Sequence, residues 1–216
     1  MMASVRRLWI AATDLELSCA PCGVGQRIEG TWDWSRHEDD ASLATGAGPV
    51  AAAAALSWFL ALHQVQEIVG IGIAGSLVGA PFPVGAICRI GTDRFDGLGA
   101  ESGQGTPLEL PFPGLENGPW ILANPSDLSH LPTAAGLTVA SATGTARTAL
   151  RRRQLGADLE SMEGAAWART ALRFHVPFAQ VRAVSNLAGF RAPESWEVAT
   201  ALRALQSALV PRSPSA

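Results

Sequence analysis

The sequence predicts an α/β fold in three layers, a central mixed twisted sheet flanked by helices. Apolar stretches of strand length at residues 5–12, 67–73 and 178–185 alternate with longer stretches of helical length at 49–63 and 162–174. Strands alternating with helices build a mostly parallel or mixed sheet covered on both faces. Hydrophobic residues make up 48% of the 216 and charged ones 16%, which suits one buried core at the usual domain size of about 150 residues.

In chain order, residues 5–12 read as a buried first strand, and alternating stretches at 27–34 and 41–45 as strands joined by turns. Thr45-Gly46-Ala47-Gly48-Pro49 then leads into a helix ending at His63, with proline at the first helical position it favours. The apolar run 49–62 is too short to span a membrane and predicts a buried helix. Strands follow at 67–73, ending in glycines, and at 84–90. Residues 96–119, dense in glycine and proline, predict a long mobile loop. Residues 120–123 and 137–141 read as strands, 145–154 and 162–174 as helices, 178–185 as a strand and 193–209 as a final helix. Residues 1–210 form a single domain in this reading, and 211–216 a flexible tail.

Composition excludes several chemistries. All 16 basic residues are arginine, and there is neither lysine nor tyrosine. Schiff-base catalysis, a lysine-anchored pyridoxal phosphate, a Walker P-loop and a tyrosine general acid are therefore out. A net charge of −3 with no basic stripe argues against nucleic acid. Arg6 and Arg7 near the start are followed by Asp14 and Glu16, which a secretory leader does not tolerate, so a cytoplasmic protein without a membrane segment is expected. Cys19-Ala20-Pro21-Cys22 has redox spacing, but Pro21 and Gly23 break the helix such a pair should open. The cysteines therefore read as small buried or half-buried thiols. With four scattered histidines a zinc site is unsupported, and no metal or cofactor is expected.

Ligands of α/β sheets bind beyond the carboxyl ends of the strands, so chemistry is sought at the strand exits. Gly70-Ile71-Gly72-Ile73-Ala74-Gly75 has the letters of a dinucleotide fingerprint, but Gly79, Pro81 and Pro83 follow where a helix should. Its glycines read as points of close backbone approach. Gly46 and Gly48, before a helix N-terminus, leave N–H groups suited to an anion or a polarised water. Glu160 and Glu163 are spaced to share a helix face, with Ser161 as N-cap, and acids in so apolar a stretch need partners such as sugar hydroxyls. Arg182, the only arginine inside a strand-exit motif, demands a carboxylate, for which Glu16 is the natural candidate. Glu16, Glu163, Arg182 and Asn186 thus form a polar cluster at one sheet edge.

Thr45-Gly46-Ala47-Gly48-Pro49-Val50, Gly72-Ile73-Ala74-Gly75-Ser76, Glu160-Ser161-Met162-Glu163-Gly164 and Val181-Arg182-Ala183-Val184-Ser185-Asn186 together resemble the purine nucleoside phosphorylase and nucleosidase superfamily. Ser185-Asn186-Leu187-Ala188-Gly189-Phe190-Arg191, followed by Trp196, is similar to its futalosine hydrolase branch. The resemblance spans nearly the whole chain outside 96–119 and the tail. It implies a nucleoside phosphorylase-like fold, a homo-oligomer, and a hydrolase that cleaves futalosine to hypoxanthine in an alternative menaquinone pathway. It further implies that Glu16 activates the attacking water, that Arg182 holds this glutamate and the water, and that Glu163 binds the ribose 2′ and 3′ hydroxyls. Met162 would pack on the sugar, Asn186 meet the purine, Thr143 and Thr145 line the base pocket, and Arg191 reach the aromatic carboxylate of the substrate.

Asn186 also carries an argument of its own, because an amide NH2 can donate both to purine N7 and to a 6-oxo oxygen, whereas a protonated aspartate would select adenine. Two departures bear on the substrate. Ile73 stands where methylthioadenosine nucleosidases place a serine, and 83–87 lacks the arginine that hexameric phosphorylases use for phosphate. The alternatives are another 6-oxopurine nucleosidase or phosphorylase acting on inosine-like substrates, and a non-catalytic nucleoside-binding module. The presence of both Glu16 and Glu163 speaks against the last.

Overall fold

Ten strands pair into one mixed sheet among the residues that the computed structural model describes, which are 4–22, 26–28, 32–101, 103, 107–108, 116–189 and 196–210. In chain order the elements are β1 (Ser4–Ala11), α1 (Asp14–Leu17), β2 (Gln26–Ile28), β3 (Trp34–His37), β4 (Asp40–Ala44), α2 (Pro49–Leu62), β5 (Gln64–Ser76) and β6 (Ile87–Phe95). After them come β7 (Ala100–Glu101), β8 (Pro107–Leu108), β9 (Trp120–Ile121), β10 (Thr133–Thr138), α3 (Ala146–Gln154), β11 (Leu159–Ser161), α4 (Gly164–Arg173), β12 (Phe178–Leu187) and α5 (Val198–Leu209). The sheet runs β11-β10-β6-β12-β5-β1-β4-β3-β2, with β9 on β6, while β7 and β8 pair separately.

Successive strand side chains point to opposite faces, and β1 shows it: Leu8 and Ile10 enter one core, Trp9 and Ala11 the other. Helices α2 and α4 cover the first face through Leu56, Phe59 and Trp167, and α5 covers the second through Ala201, Leu205 and Leu209. The expected three layers are therefore present. The sheet also folds back on itself, because β11 pairs with the distal end of β5, antiparallel, at Leu159↔Ser76 and Glu160↔Gly75.

Several boundaries move for local reasons. The strand expected at 84–90 is β6, which starts only after a turn in which Ala86 N–H donates to Pro83 O (2.9 Å) and Gly85 has φ +83°. The strand expected at 137–141 is β10, which ends at Thr138. The helix expected from Met162 begins at Gly164, because 159–161 are held as a strand by β10 and β5. Its N-cap is Glu163 and not Ser161. The glycines expected to end a strand at 73 lie inside β5, which runs 13 residues. The apolar helix α2 is buried on one face only, at Ala52, Ala55, Leu56, Phe59 and Leu60, while Val50 is 82% exposed.

Cys19 and Cys22 are free thiols, the first buried and the second half-buried. No helix among the described residues is long and apolar enough to cross a membrane. Within the stretch expected as a loop at 96–119, residues 102, 104–106 and 109–115 lie outside the described residues, as do the start of the last helix at 193 and the tail 211–216.

Candidate active site

A cavity of about 370 Å³ opens where β1, β5 and β12 end, the place the strand-exit rule anticipates. Glu16, Met162, Glu163 and Asn186 all line it. Its remaining wall is largely apolar, with Leu15, Ile73, Val139, Trp196, Val198 and Leu202.

Glu16 owes its position to a capping box. It is the third residue of α1, its N–H donates to Thr13 Oγ1 (3.2 Å), and its Oε2 accepts from Thr13 N–H (3.2 Å) and Oγ1 (2.9 Å). Oε1 accepts from Ile73 N–H (3.0 Å). A carboxylate offers about four acceptor sites, so three protein donors orient it and leave capacity for one more from the cavity. Ile73, which has no side-chain hydroxyl, thus serves through its backbone.

Glu163, 5% exposed, caps the N-terminus of α4, where the helix dipole favours a negative charge. Its Oε1 accepts from Gly48 N–H (3.0 Å). The anion met by the glycine loop is therefore one of the protein's own carboxylates. Gly48, at φ +87°, holds the left-handed turn before Pro49 that a side chain would strain. Gly46 lies in the same loop at φ +81°, and neither glycine is among the residues lining the cavity.

Arg182, 1% exposed, stands one layer behind the wall. Its ion pair is with Glu163 (Nη2 to Oε2, 3.6 Å), where Glu16 was the expected partner. Glu16 is instead held by Thr13 and Ile73, although it borders the guanidinium across Gly72. A Cβ built on Gly72 would lie 2.5 Å from Arg182 Nη1 and 2.8 Å from Glu16 Oε1, so only glycine fits between them. Arg182 Nη1 also donates to Ile73 O (3.3 Å), and the guanidinium sits 5.1 Å from the Trp167 ring centre.

Asn186 follows a register shift in β12 that sets it opposite Gly75. Ser185 Oγ donates to its Oδ1 (2.8 Å), which turns Nδ2 away as a free donor. Glu160 borders the same glycine: the Cβ position of Gly75 is 3.2 Å from Asn186 Nδ2 and 3.3 Å from Glu160 Cγ.

The base-pocket threonines come out differently. Thr143 is buried behind Glu160, to which both its N–H (2.8 Å) and its hydroxyl donate. Thr145 is exposed and caps α3, its Oγ1 accepting from Thr148 N–H (3.2 Å), because a hydroxyl just before a helix finds an orphan N–H first. Neither lines the cavity. Arg191 lies outside the described residues.

The family model described as the phosphorylase superfamily matches residues 41–210. The chain belongs to the phosphorylase superfamily. It is similar to the futalosine hydrolase of Thermus thermophilus, 36% identical over 77% of this chain and 78% of that one. It is also similar to the futalosine hydrolase of Streptomyces coelicolor, 34% identical over 80% and 77%. Among solved structures, a 5′-methylthioadenosine/S-adenosylhomocysteine nucleosidase from Colwellia psychrerythraea superposes with a TM-score of 0.73 at 21% identity, covering 96% of this chain and 97% of that one. Family and relatives make this phosphorylase-superfamily chain an enzyme, a glycosyl hydrolase.

Two ionic networks of this superfamily member escape a reading of motifs. Arg152, from α3, donates through Nη1 to Glu160 (2.9 Å) and through Nε to Asp96 (2.8 Å), so Arg182 is not the only arginine braced against the site. Burial alone would raise the Asp96 carboxyl, but hydrogen bonds and charge from Arg151 and Arg152 outweigh it and hold Asp96 below its usual range. The signal in the sequence is faint, because Arg151-Arg152-Arg153 at the end of a helix looks like ordinary dipole compensation.

The second network centres on Asp93, fully buried on β6, which accepts from Thr138 Oγ1 (3.0 Å) and Gln180 Nε2 (3.0 Å). Burial pushes its carboxyl up to about 6, against those hydrogen bonds and the charge of Arg182. The folded protein therefore holds this proton more tightly than the unfolded chain does. Its contribution to stability is complete below an unfolded value of 3.8 and is lost as pH rises through about 6. The loss amounts to about 3 kcal/mol at 1.36 kcal/mol per unit. Asp93→Asn removes this dependence. Urea unfolding at pH 4 and pH 7 should show the variant gaining about that much relative to the wild type, and a constant difference between the two pH values would contradict it.

Proposed function

We propose that this enzyme hydrolyses the N-glycosidic bond of futalosine, releasing hypoxanthine within menaquinone biosynthesis, as a cytoplasmic homo-oligomer. The observation that carries the reading is the Asn186 amide, whose oxygen is engaged by Ser185 and whose NH2 is left to donate. Such a donor suits N7 and O6 of a 6-oxopurine and has nothing to accept from the 6-amino group of adenine. The apolar wall of Leu15, Ile73, Trp196, Val198 and Leu202 offers an aromatic 5′ extension more contact than a bare 5′ hydroxyl needs, which favours futalosine over inosine.

In this mechanism Glu16 takes a proton from water as the water oxygen attacks C1′ of an oxocarbenium-like sugar. Glu163 holds the 2′ and 3′ hydroxyls. The C1′–N9 bond breaks with its electron pair going to the base, and Asn186 donates into the charge that develops on N7. Arg182 keeps Glu163 in place from behind. Water is favoured over phosphate because the Gly48 N–H, the natural anion donor of the loop, is already committed to Glu163.

Chromatography of free base from futalosine, inosine and methylthioadenosine, with and without phosphate, tests the reading. Hypoxanthine is expected from futalosine regardless of phosphate. Release of adenine, or release that requires phosphate, would overturn it.

A further inference from the structure

Behind the cavity lies a chain of buried polar groups that hydrolysis does not use directly, Asp93, Gln180 and Arg182, and it ends on Glu163 in the cavity wall. Each link has a fixed sense. Asp93 accepts at both oxygens, from Thr138 Oγ1 and from Gln180 Nε2, each at 3.0 Å. Thr138 Oγ1 is itself oriented by Ala165 N–H, which donates to it at 2.7 Å. With its NH2 committed to Asp93, the Gln180 amide turns its oxygen to Arg182 and accepts from Nη2 at 3.2 Å. The same Nη2 stands 3.6 Å from Glu163 Oε2.

We infer that Asp93 is a positioning residue for the sugar-binding carboxylate: it dictates which way the Gln180 amide points, and so holds Arg182 and, through it, Glu163 in register with the sugar hydroxyls. Reversed, Gln180 would present its NH2 to a guanidinium, donor against donor, and drive Arg182 from Glu163. The backbone makes room for this arrangement. A Cβ on Gly136 would lie 2.8 Å from Asp93 Oδ2, and one on Gly164 would overlap Asp93 Oδ2 and the Gln180 amide. A strand and the first turn of α4 therefore both forgo a side chain beside this carboxylate and amide.

The inference rests on Glu163 as the sugar ligand, and the test separates the two. Cleavage of futalosine and of its 2′-deoxy analogue is compared in the wild type, Gln180→Leu and Gln180→Glu, with folding followed by circular dichroism. The wild type is expected to prefer the ribosyl substrate. In Gln180→Leu that preference falls on the order of 10- to 100-fold, because a carboxylate displaced by a fraction of an ångström loses the hydroxyl, while cleavage of the deoxy analogue changes little. A merely structural defect would lower both alike.

In Gln180→Glu the introduced acid and Asp93 share one proton at neutral pH, whose O–H donates to Asp93 while the carbonyl accepts from Arg182, so the preference is kept there. It collapses on alkalinisation, where both carboxylates ionise and repel. The charged groups facing them are Arg182 and, beyond it, Glu163 and Glu16, so each value is compared with the wild type at the same pH. A wild type without ribosyl preference overturns the reading of Glu163 and the inference with it. An unchanged preference in folded Gln180→Leu, or in Gln180→Glu at alkaline pH, overturns the inference alone.

Discussion

Glu16→Gln is expected to lower kcat about 10²- to 10⁴-fold, the range a positioned general base contributes, with a much smaller change in KM. Glutamine suits the third position of a capping box as glutamate does, so α1 should survive the change. Three donors converge on Glu16, two from Thr13 and one from Ile73. An amide meets them with one oxygen and one NH2, so at least one contact becomes donor against donor, at a cost of about 1–3 kcal/mol. Steady-state hydrolysis together with thermal unfolding separates the two effects. A variant with full kcat would remove Glu16 from the chemistry.

The second large effect concerns stability. Arg182→Met should cost about 3–5 kcal/mol of unfolding free energy at pH 7, because removing one partner of a buried pair leaves an uncompensated charge. Glu163 loses its ion pair, Gln180 Oε1 loses its donor and Glu16 loses the cation across Gly72. For a chain of this size that corresponds to a fall of roughly 10 °C in Tm. Arg182→Lys should not restore it, since a single ammonium cannot reach Ile73 O, the Gln180 oxygen and Glu163 together while lying over the Trp167 ring. Urea unfolding measures both variants. A loss for Arg182→Met no larger than an exposed ion pair is worth, about 1 kcal/mol or less, would show that the cluster relaxes without its arginine.

The residues legible in the sequence were those whose surroundings are local. Glu16 stands three residues after Thr13, and a capping box needs nothing else to place its carboxylate at a strand exit. Asn186 closes the apolar run of β12, so strand polarity alone puts it at the ligand end of the sheet. Thr143 and Thr145 were not separable in this way. Only the path of the loop sends one hydroxyl to Glu160 and the other to the N-terminus of α3. Ser161 looked like an N-cap because serine before an apolar run does so on local grounds. Two strands distant in sequence claim that stretch as β11 instead.

Arginine as the only side chain with a permanent positive charge, the alternation of strands and helices, and the acids at the strand exits follow from residue identity and local periodicity. Partnerships inside the site depend on contacts between segments far apart in the chain. β11 folding back onto β5 brings Glu160 beside Asn186 at Gly75. The approach of the Gly48 loop to α4 gives Glu163 its N–H donor, and the pairing of β6 with β12 brings Asp93 within reach of Gln180. Period and capping are settled within a few residues, whereas a buried charge takes whichever partner the closed sheet presents, and that is why Arg182 meets Glu163 and not Glu16.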